Sequence, residues 1–400
     1  MVDYNAMIVG GVADDPFAID VARFMGQHAD ISDLISYKSF LNTEFCPRFI
    51  SDESDVDHIG QGLREKTIVI ISTCCGEHTR NARAMRNCLI ARAAKDNGAA
   101  RVVLVETDLF YSAQDRGPQE GHGEPAFVRS REDRKKFDGQ PFSSRLYAQL
   151  LRTSGVDWVI TVHNHSISVQ RIFAQEFRGL FLNLKPTDLY VDYLTRHAIM
   201  EPRADDQGFV VCAPDHGAAP FVQEVYDQLK AHSEHLLIGF RPSLLFMDKE
   251  RSGERKVDIR ARADSPTRLE DLTGRDVVVV DDMVRTGNTI AECCRCLKAA
   301  HARRVIFMVT HFHSSPEVKE NLNDPAIDEI VTTNALPAVL NRDMQGRLRR
   351  KMLVLKIEKW IADTLRCRVF NECSPKYHPP YTVDVSSKNP LWSPMHDLRG

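Results

Sequence analysis

The residues best suited to chemistry are two adjacent carboxylates, Asp281 and Asp282, which follow the valine run 277–280. This β-branched run predicts a buried strand of a parallel sheet, with the two carboxylates at its carboxyl end. Because like charges repel, the pair does not hold a phosphate. It can accept hydrogen bonds from vicinal sugar hydroxyls or hold Mg²⁺ through water.

A phosphate-binding turn is predicted directly after the two carboxylates. Backbone N–H groups and hydroxyls in such a turn favour an anion, and so does the dipole of the helix that the turn opens. Its glycine lets the backbone approach a ligand closely. The alternative is an ordinary turn with an acidic cap, but two aspartates ahead of this turn are rarer than a bare glycine-rich turn. The residues predicted to bind a sugar phosphate are Thr286, Gly287, Asn288 and Thr289.

The Asp-Asp segment resembles the phosphoribosyl-diphosphate loop of the type I phosphoribosyltransferase fold. Five further segments occur ahead of it in a fixed order: FYSAQDR at 110–116, PFSSRLYAQLL at 141–151, HNH at 163–165, APDHG at 213–217 and DKER at 248–251. In this order they resemble the ribose-phosphate pyrophosphokinase family. The resemblance runs through most of residues 7–365.

The resemblance implies diphosphoryl transfer, in which the anomeric hydroxyl of ribose 5-phosphate attacks the β-phosphorus of Mg-ATP and AMP leaves. Such a reaction depends on positioning and charge neutralisation, so cations should surround the transferred group. Lys249 and Arg251 match the catalytic pair that the family carries on a mobile loop. Residues 248–263 are polar and contain glycine, which is typical of a lid. A solvated charged loop is the alternative.

The remaining ligand-binding residues are also implied by the resemblance. Asp215 matches a metal-binding aspartate, although the Pro-Asp-x-Gly pattern also predicts a routine turn. His165 matches a histidine that binds an ATP phosphate or a metal, and a structural histidine is the alternative. The residues expected to contact ATP are Gln114, Asp115 and His165, together with Phe49 and Glu53, which a neighbouring subunit would contribute.

The nucleotide segments differ from the family pattern at two positions. Ala113 stands where the family usually has an ATP-contacting arginine, and His163 stands where it has an aspartate. Residues 117–140 are an insertion next to the first of these positions. Long loops beside active sites are often functional, although a variable surface loop is equally compatible with the sequence. The arginines that could replace the missing one are Arg129, Arg131 and Arg134.

Short apolar runs alternate with helical patterns along most of the chain. Strands are predicted at 7–9, 67–72, 102–106, 158–162, 208–213, 236–240, 277–280, 305–310, 329–332 and 353–357. This alternation indicates an α/β fold with two similar domains, each a mostly parallel sheet flanked by helices. We expect an ATP-side domain at 1–185, a ribose 5-phosphate-side domain at 186–357, and at 358–400 a helix returning to the first domain plus an irregular tail.

Composition favours a cytoplasmic enzyme. The 400 residues are 43% hydrophobic and 27% charged with a net charge of −3, which fits a folded protein that binds neither nucleic acid nor membrane. No apolar stretch of membrane-spanning length and no secretory signal are found, and the ten cysteines lie mostly inside predicted elements, which favours reduced thiols.

Three hypotheses remain from the sequence. The first is an active ribose-phosphate diphosphokinase that uses Mg²⁺ and assembles as a homo-oligomer, a hexamer by resemblance. The second is a phosphoribosyltransferase that consumes phosphoribosyl diphosphate. The third is a non-catalytic regulatory homologue that assembles with active subunits, which the departures at Ala113 and His163 favour.

Overall fold

A computed structural model describes residues 5–74, 78–123, 128–196, 208–235, 241–251 and 257–384. The chain folds into two compact units. The first contains the chain up to Leu184 together with Glu358–Lys376, and the second contains Lys185–Ile357 together with the chain from Tyr377 onward.

The first unit is built on β-branched runs that form buried strands, with helices between them. Several helices begin at a side-chain cap: Thr79 accepts from the N–H of Ala82, and Ser166 accepts from the N–H of Val169. The strands are β1 (Ala6–Gly10), β2 (Ile35–Ser39), β3 (Phe45–Phe49), β4 (Thr67–Ser72), β5 (Arg101–Glu106), β6 (Trp158–Val162) and β7 (Phe181–Leu184). The helices are α1 (Pro16–Met25), α2 (Ile31–Leu34), α3 (Arg80–Asp96), α4 (Arg131–Lys135), α5 (Ser143–Thr153) and α6 (Ile167–Glu176).

Five of these strands form a parallel sheet in the order β1-β4-β5-β6-β7. The other two, β2 and β3, form a separate antiparallel hairpin. Strand β5 lies in the middle of the sheet and is buried along all but its first residue. Its carboxyl end is therefore the centre of the edge at which ligands bind in parallel sheets.

The second unit has a larger sheet of eight strands. Its helices are α7 (Thr187–Arg196), α8 (Ala219–His235), α9 (Asn288–Ala299), α10 (Pro316–Leu322) and α11 (Arg342–Gln345). Its strands are β8 (Phe209–Ala213), β9 (Ser243–Arg251), β10 (Val257–Ala261), β11 (Asp276–Val284), β12 (Arg304–Phe312), β13 (Glu329–Thr333), β14 (Met352–Lys356) and β15 (Thr382–Val383). The last helix, α12 (Glu358–Thr364), packs against α1 in the first unit and continues into a π-helical turn, Leu365–Val369.

The order of the second sheet is β10-β9-β8-β11-β12-β13-β14-β15. Strands β9 to β14 in this order are parallel, and β10 and β15 pair antiparallel at the two edges. From β8 the chain first moves outward to β9 and β10, then returns to the other side of β8 to form β11. The sheet therefore has a topological switch point between β8 and β11, where α/β proteins commonly bind ligands.

The parallel sheets flanked by helices confirm the predicted fold class. The predicted strand at 236–240 lies outside the described residues, whereas the long strand β9 begins at Ser243 and was missed. The hairpin of β2 and β3 was also missed, as were β7, β10 and β15. These five strands are short, polar or at sheet edges, so they lack the apolar run that identifies a central strand.

The core of the second unit lies between β11, β12 and the amphipathic helix α9. Leu297 on α9 has 0% of its surface exposed and packs in this core. We expect Leu297→Ala to lower the free energy of unfolding by about 2–5 kcal/mol, because it removes buried methyl groups and leaves a cavity. Urea denaturation followed by circular dichroism measures the change.

The matched control is Met344→Ala, at a side chain of the same unit that is 40% exposed. This variant should stay within about 0.5 kcal/mol of the unmodified protein. Equal losses in the two variants would contradict the assignment of α9 to the core.

Candidate functional site

The two carboxylates Asp281 and Asp282 lie at the switch point of the second sheet. Both are half-buried, and they are followed by two further strand residues, so β11 extends past the position that the sequence predicts. The pairing of β11 with β8 ends at Val279, so Asp281 lies beyond the last residue that β8 pairs. The N–H of Asp282 donates to the side chain of Asp281 at 2.9 Å.

The environment of Asp281 opposes its negative charge. Burial raises the pKa of this carboxyl group well above its usual range, and the charges of Asp282 and Asp215 raise it further. Burial raises the pKa of Tyr190, and the nearby charges of both aspartates raise it further; its hydroxyl hydrogen-bonds to that of Thr310 at 2.9 Å. Asp215, from the turn after β8, therefore lies close enough to Asp281 for its charge to act on that carboxyl group.

Asp215 also has a structural role in its own turn. Its side chain accepts hydrogen bonds from the backbone N–H groups of Gly217 at 2.9 Å and Ala218 at 3.2 Å. These bonds fold the turn between β8 and α8, which corresponds to the alternative that the sequence left open. The same turn holds the carboxylate near Asp281, so the structural and ligand-binding roles are compatible.

The predicted phosphate turn connects β11 to α9. Gly287 has φ +83°, and an added Cβ atom would lie 3.2 Å from the side chain of Leu322, so both conformation and space favour glycine. Asn321 donates to the carbonyl of Thr286 at 2.7 Å and fixes the turn from outside. Thr286 and Asn288 are exposed, and Thr289 is half-buried. The N-cap residue of α9 is Gly287, which has no side chain to cap the helix.

The predicted catalytic lid is a β-hairpin where it is described. Lys249 and Arg251 lie at the end of β9, and their backbones pair with Ile259 and Val257 of β10. The prediction of a loop over residues 248–263 is therefore wrong for the two ends of this segment, which form strands. Antiparallel pairing with a neighbour gives these polar residues a strand conformation, although their sequence lacks the alternation of apolar and polar residues that predicts a strand. The connection 252–256 and the side chains of Lys249 and Arg251 lie outside the described part.

In the first unit, Gln114 and Asp115 lie in the turns that follow β5. The Asp115 carboxylate accepts a hydrogen bond from Ser166 at 2.7 Å, and its carbonyl accepts one from Ser168 at 3.1 Å. His165 directly precedes Ser166 and is exposed, as is Gln114. The structure therefore joins the segment 110–116 to the amino end of α6, where His165 lies.

A buried carboxyl group that the sequence analysis missed supports this segment. Glu106, the last residue of β5, is fully buried and accepts hydrogen bonds from the N–H of Phe110, the hydroxyl of Tyr147 and the amide of Asn87, all at 2.8–2.9 Å. Burial raises its pKa to about 8. In the sequence, this group could have been noticed only as a single acidic residue directly after the apolar run of β5.

The positions that depart from the family pattern have contrasting surroundings. Ala113 is exposed, whereas His163 is buried and has φ +45°. Arg129 is 3% exposed, donates to the carbonyls of Gly117 and His122, and pairs with Asp133, so its guanidinium holds the insertion together. Arg131 opens helix α4 inside the insertion and is exposed.

The residues expected to contact adenine lie at the end of the β2-β3 hairpin and just beyond it. Phe49 is 6% exposed within its own chain, which leaves little of its ring for a nucleotide. Glu53 is exposed and pairs with Arg48 at 3.2 Å. Their assignment to a neighbouring subunit stays a prediction.

Comparison with known proteins agrees with this geometry. Residues 146–341 match the phosphoribosyl transferase domain family. The ribose-phosphate pyrophosphokinase of Corynebacterium efficiens is 30% identical over 335 residues, which cover 83% of this chain and 85% of that protein. The chain belongs to the ribose-phosphate pyrophosphokinase family.

Other members are similar over comparable lengths. The ribose-phosphate pyrophosphokinase of Helicobacter hepaticus is 26% identical, covering 91% of this chain and 96% of that protein. Ribose-phosphate pyrophosphokinase 4 of Saccharomyces cerevisiae is 26% identical, covering 78% and 83%. The crystal structure of phosphoribosylpyrophosphate synthetase from Mycobacterium smegmatis superposes with a TM-score of 0.67 at 24% identity, over 92% of this chain and 99% of that one, which shows the shared fold.

The carboxylates of this ribose-phosphate pyrophosphokinase homologue suit a weakly held Mg²⁺. Among the described residues, no three His, Cys, Asp or Glu side chains meet as a complete metal site. Mg²⁺ characteristically keeps several waters and binds one or two carboxylates plus substrate phosphates, so a complete protein cage is not required. The mutual repulsion at Asp281 marks a place where a cation would be favourable. None of the helices in the described ranges is long and apolar enough to cross a membrane.

The raised pKa of Asp281 predicts a pH-dependent gain from removing its charge. The folded protein retains the Asp281 proton to a higher pH than the unfolded chain does, so this group lowers stability as pH rises above its unfolded pKa of about 4. We expect Asp281→Asn to raise the free energy of unfolding at pH 7, because it removes a charge that burial and the neighbouring carboxylates disfavour. Denaturation between acidic and neutral pH measures the difference, which should vanish below about pH 4.

The control is Asp343→Asn, which removes an exposed carboxylate from the short helix α11 of the same unit. If both variants gave the same pH dependence, overall charge would explain the effect and the local repulsion would be excluded.

Proposed function

We propose that this protein is a ribose-phosphate diphosphokinase, which transfers the diphosphoryl group of Mg-ATP to the anomeric hydroxyl of ribose 5-phosphate. The products are phosphoribosyl diphosphate and AMP. The observation that carries the proposal is the position of Asp281 and Asp282 at the switch point, close enough to Asp215 for its charge to act on Asp281, and ahead of a glycine turn that opens α9. Relatives named for this activity support it over most of the chain.

The sugar phosphate is proposed to bind in the second unit. Thr286, Gly287, Asn288 and Thr289 form the turn that would hold the 5-phosphate, because N–H groups, hydroxyls and the helix dipole favour an anion there. Asp281 and Asp282 would accept hydrogen bonds from the ribose hydroxyls. Such bonds would offset part of the cost of burying a carboxylate.

The nucleotide is proposed to contact Gln114, Asp115 and His165 in the first unit. The hydrogen bonds from Ser166 and Ser168 to Asp115 support a common nucleotide-binding surface for these three residues. Exposed Glu53 remains the proposed contribution of a neighbouring subunit to adenine binding, and Phe49 would contribute only the small part of its ring that is not buried. Among the arginines of the insertion, exposed Arg131 is proposed to replace the missing family arginine. Arg129 is less suitable, because its guanidinium already binds backbone carbonyls and Asp133 within the insertion.

Mg²⁺ is the proposed cofactor, with Asp215 and, from the resemblance, His165 as the residues that would hold it. When bound it would neutralise the charge of the transferred phosphates. Lys249 and Arg251 are the proposed catalytic cations, a compact charge and a bidentate fork for phosphate oxygens. Homo-oligomeric assembly and a cytoplasmic location stay predictions from the sequence.

A second candidate is a non-catalytic subunit that regulates active synthetases. It is favoured by exposed Ala113, which provides no guanidinium for phosphate, and by buried His163, which replaces the family aspartate. The phosphoribosyltransferase hypothesis is less well supported, because relatives named as pyrophosphokinases match both units of the chain.

The direct test is an assay of the purified protein alone. Incubated with ATP, Mg²⁺ and ribose 5-phosphate, it should form AMP and phosphoribosyl diphosphate in equal amounts, which chromatography quantifies. A control without ribose 5-phosphate separates transfer from hydrolysis. Folded protein that forms no monophosphate from any common nucleoside triphosphate would support the regulatory candidate instead.

The role of the cationic pair is tested by Lys249→Ala. We expect turnover to fall by about 10²-fold or more with a smaller change in ribose 5-phosphate affinity, because the lost ammonium acts mainly in the transition state. Steady-state kinetics and calorimetry measure the two quantities. Lys230→Ala, at an exposed position on α8, is the control that should leave both unchanged. Normal turnover in Lys249→Ala would remove this residue from the mechanism.

A further inference from the structure

The segment that follows α12 folds back on itself and brings two cysteines together. The π-helical turn Leu365–Val369 ends at Phe370, and Asn371 then has φ +62°, which reverses the chain. The N–H of Glu372 donates to the carbonyl of Arg366 at 2.9 Å and closes the reversal. Cys367 directly follows Arg366, and Cys373 directly follows Glu372. The hydrogen bond therefore places the two cysteines side by side.

The two thiols are in contact. The Cys373 thiol donates to the carbonyl of Cys367 at 3.6 Å, and the two thiols are close enough for Cys373 to raise the pKa of Cys367. Both thiols can be reached from solvent, since Cys367 is half-buried and Cys373 is exposed. The other contacting pair that the structure describes, Cys212 and Cys293, is fully buried and closed to a soluble reagent.

The ends of this segment are held in place by neighbouring contacts. The Arg366 guanidinium pairs with Asp363 at 2.9 Å and also donates to the carbonyl of Phe24 on α1. Asp363 in turn accepts from the N–H of Lys376 at 3.1 Å. Because both ends are anchored, the thiols stay near each other in the folded protein, which raises their effective concentration.

We propose that Cys367 and Cys373 form a reversible disulfide, a thiol modification site at the end of the returning C-terminal segment of the first unit. The oxidant is a small soluble disulfide of the glutathione class. The bridge would link residues that are six positions apart and already in contact.

The chemistry proceeds in two exchange steps. The more exposed Cys373, as thiolate, attacks one sulfur of oxidised glutathione, which forms a mixed disulfide and releases one glutathione thiolate. Cys367, as thiolate, then attacks the Cys373 sulfur and releases the second glutathione. The protein loses two electrons and two protons, and oxidised glutathione is reduced to two thiols. The contact between the thiols raises the pKa of Cys367 and the charge of Arg368 opposes this rise, so the second step is faster at alkaline pH.

Peptide mapping after oxidation tests the proposal, because trypsin separates the two cysteines at Arg368. Protein equilibrated with defined ratios of oxidised to reduced glutathione is quenched with an alkylating reagent and digested without reduction. We expect the dipeptide that contains Cys367 to remain joined to the octapeptide 369–376, which contains Cys373. In urea, where the native contact is lost, half-conversion should require a ratio at least about tenfold higher.

Three single variants sharpen the result. Cys367→Ser and Cys373→Ser should each leave a stable glutathione adduct on the remaining cysteine and no joined peptides. Cys46→Ser, at an exposed cysteine in β3, should form the bridge normally. The proposal is overturned if the native protein gives no joined peptides, if both cysteines only accumulate glutathione, or if native and unfolded protein need the same ratio.

Discussion

Repulsion among carboxylates at one sheet edge is the constraint on which the second unit depends. Asp281, Asp282 and Asp215 are held near each other by elements that come from distant parts of the chain. Burial and like charge both disfavour ionisation of Asp281, so a negative charge here is electrostatically unfavourable. A ligand that donates hydroxyl hydrogen bonds, or a cation, would stabilise this charge. The site is thus an unfavourable arrangement for folding and a favourable one for binding.

The surrounding structure keeps this arrangement in place. Strand β11 lies between two parallel neighbours, which fixes the direction of its side chains through the register of the pairing. The Asp215 carboxylate is fixed by two backbone N–H groups of its own turn. On the other side, Gly287 and the bond from Asn321 to Thr286 fix the turn that leads into α9. None of these contacts requires a ligand, so the site is preorganised.

The first unit uses a related device in a different way. Glu106 ends the central strand of its sheet, and although Asp108 lies close enough to act on it, its carboxyl group accepts hydrogen bonds from three donors. Its carboxyl group is consequently a structural anchor for the segment 110–116 and is closed to solvent. The insertion beside that segment has its own buried cation, Arg129, which binds backbone carbonyls. The two α/β units thus each place a carboxyl group with a raised pKa on a strand of the parallel sheet, in different surroundings.

Local pattern alone determined the fold class, the central strands and the glycine turn before α9. The apolar runs of β4, β5 and β11 and the glycine turn are short-range signals, and the structure forms them, although β11 runs to Val284, past its predicted end at Val280. The hairpin of β9 and β10, the burial of Phe49 and Arg129, the network around Glu106 and the contact between Cys367 and Cys373 could not be predicted. Each depends on which distant residues supply hydrogen bonds or cover a side chain, and only tertiary packing decides that.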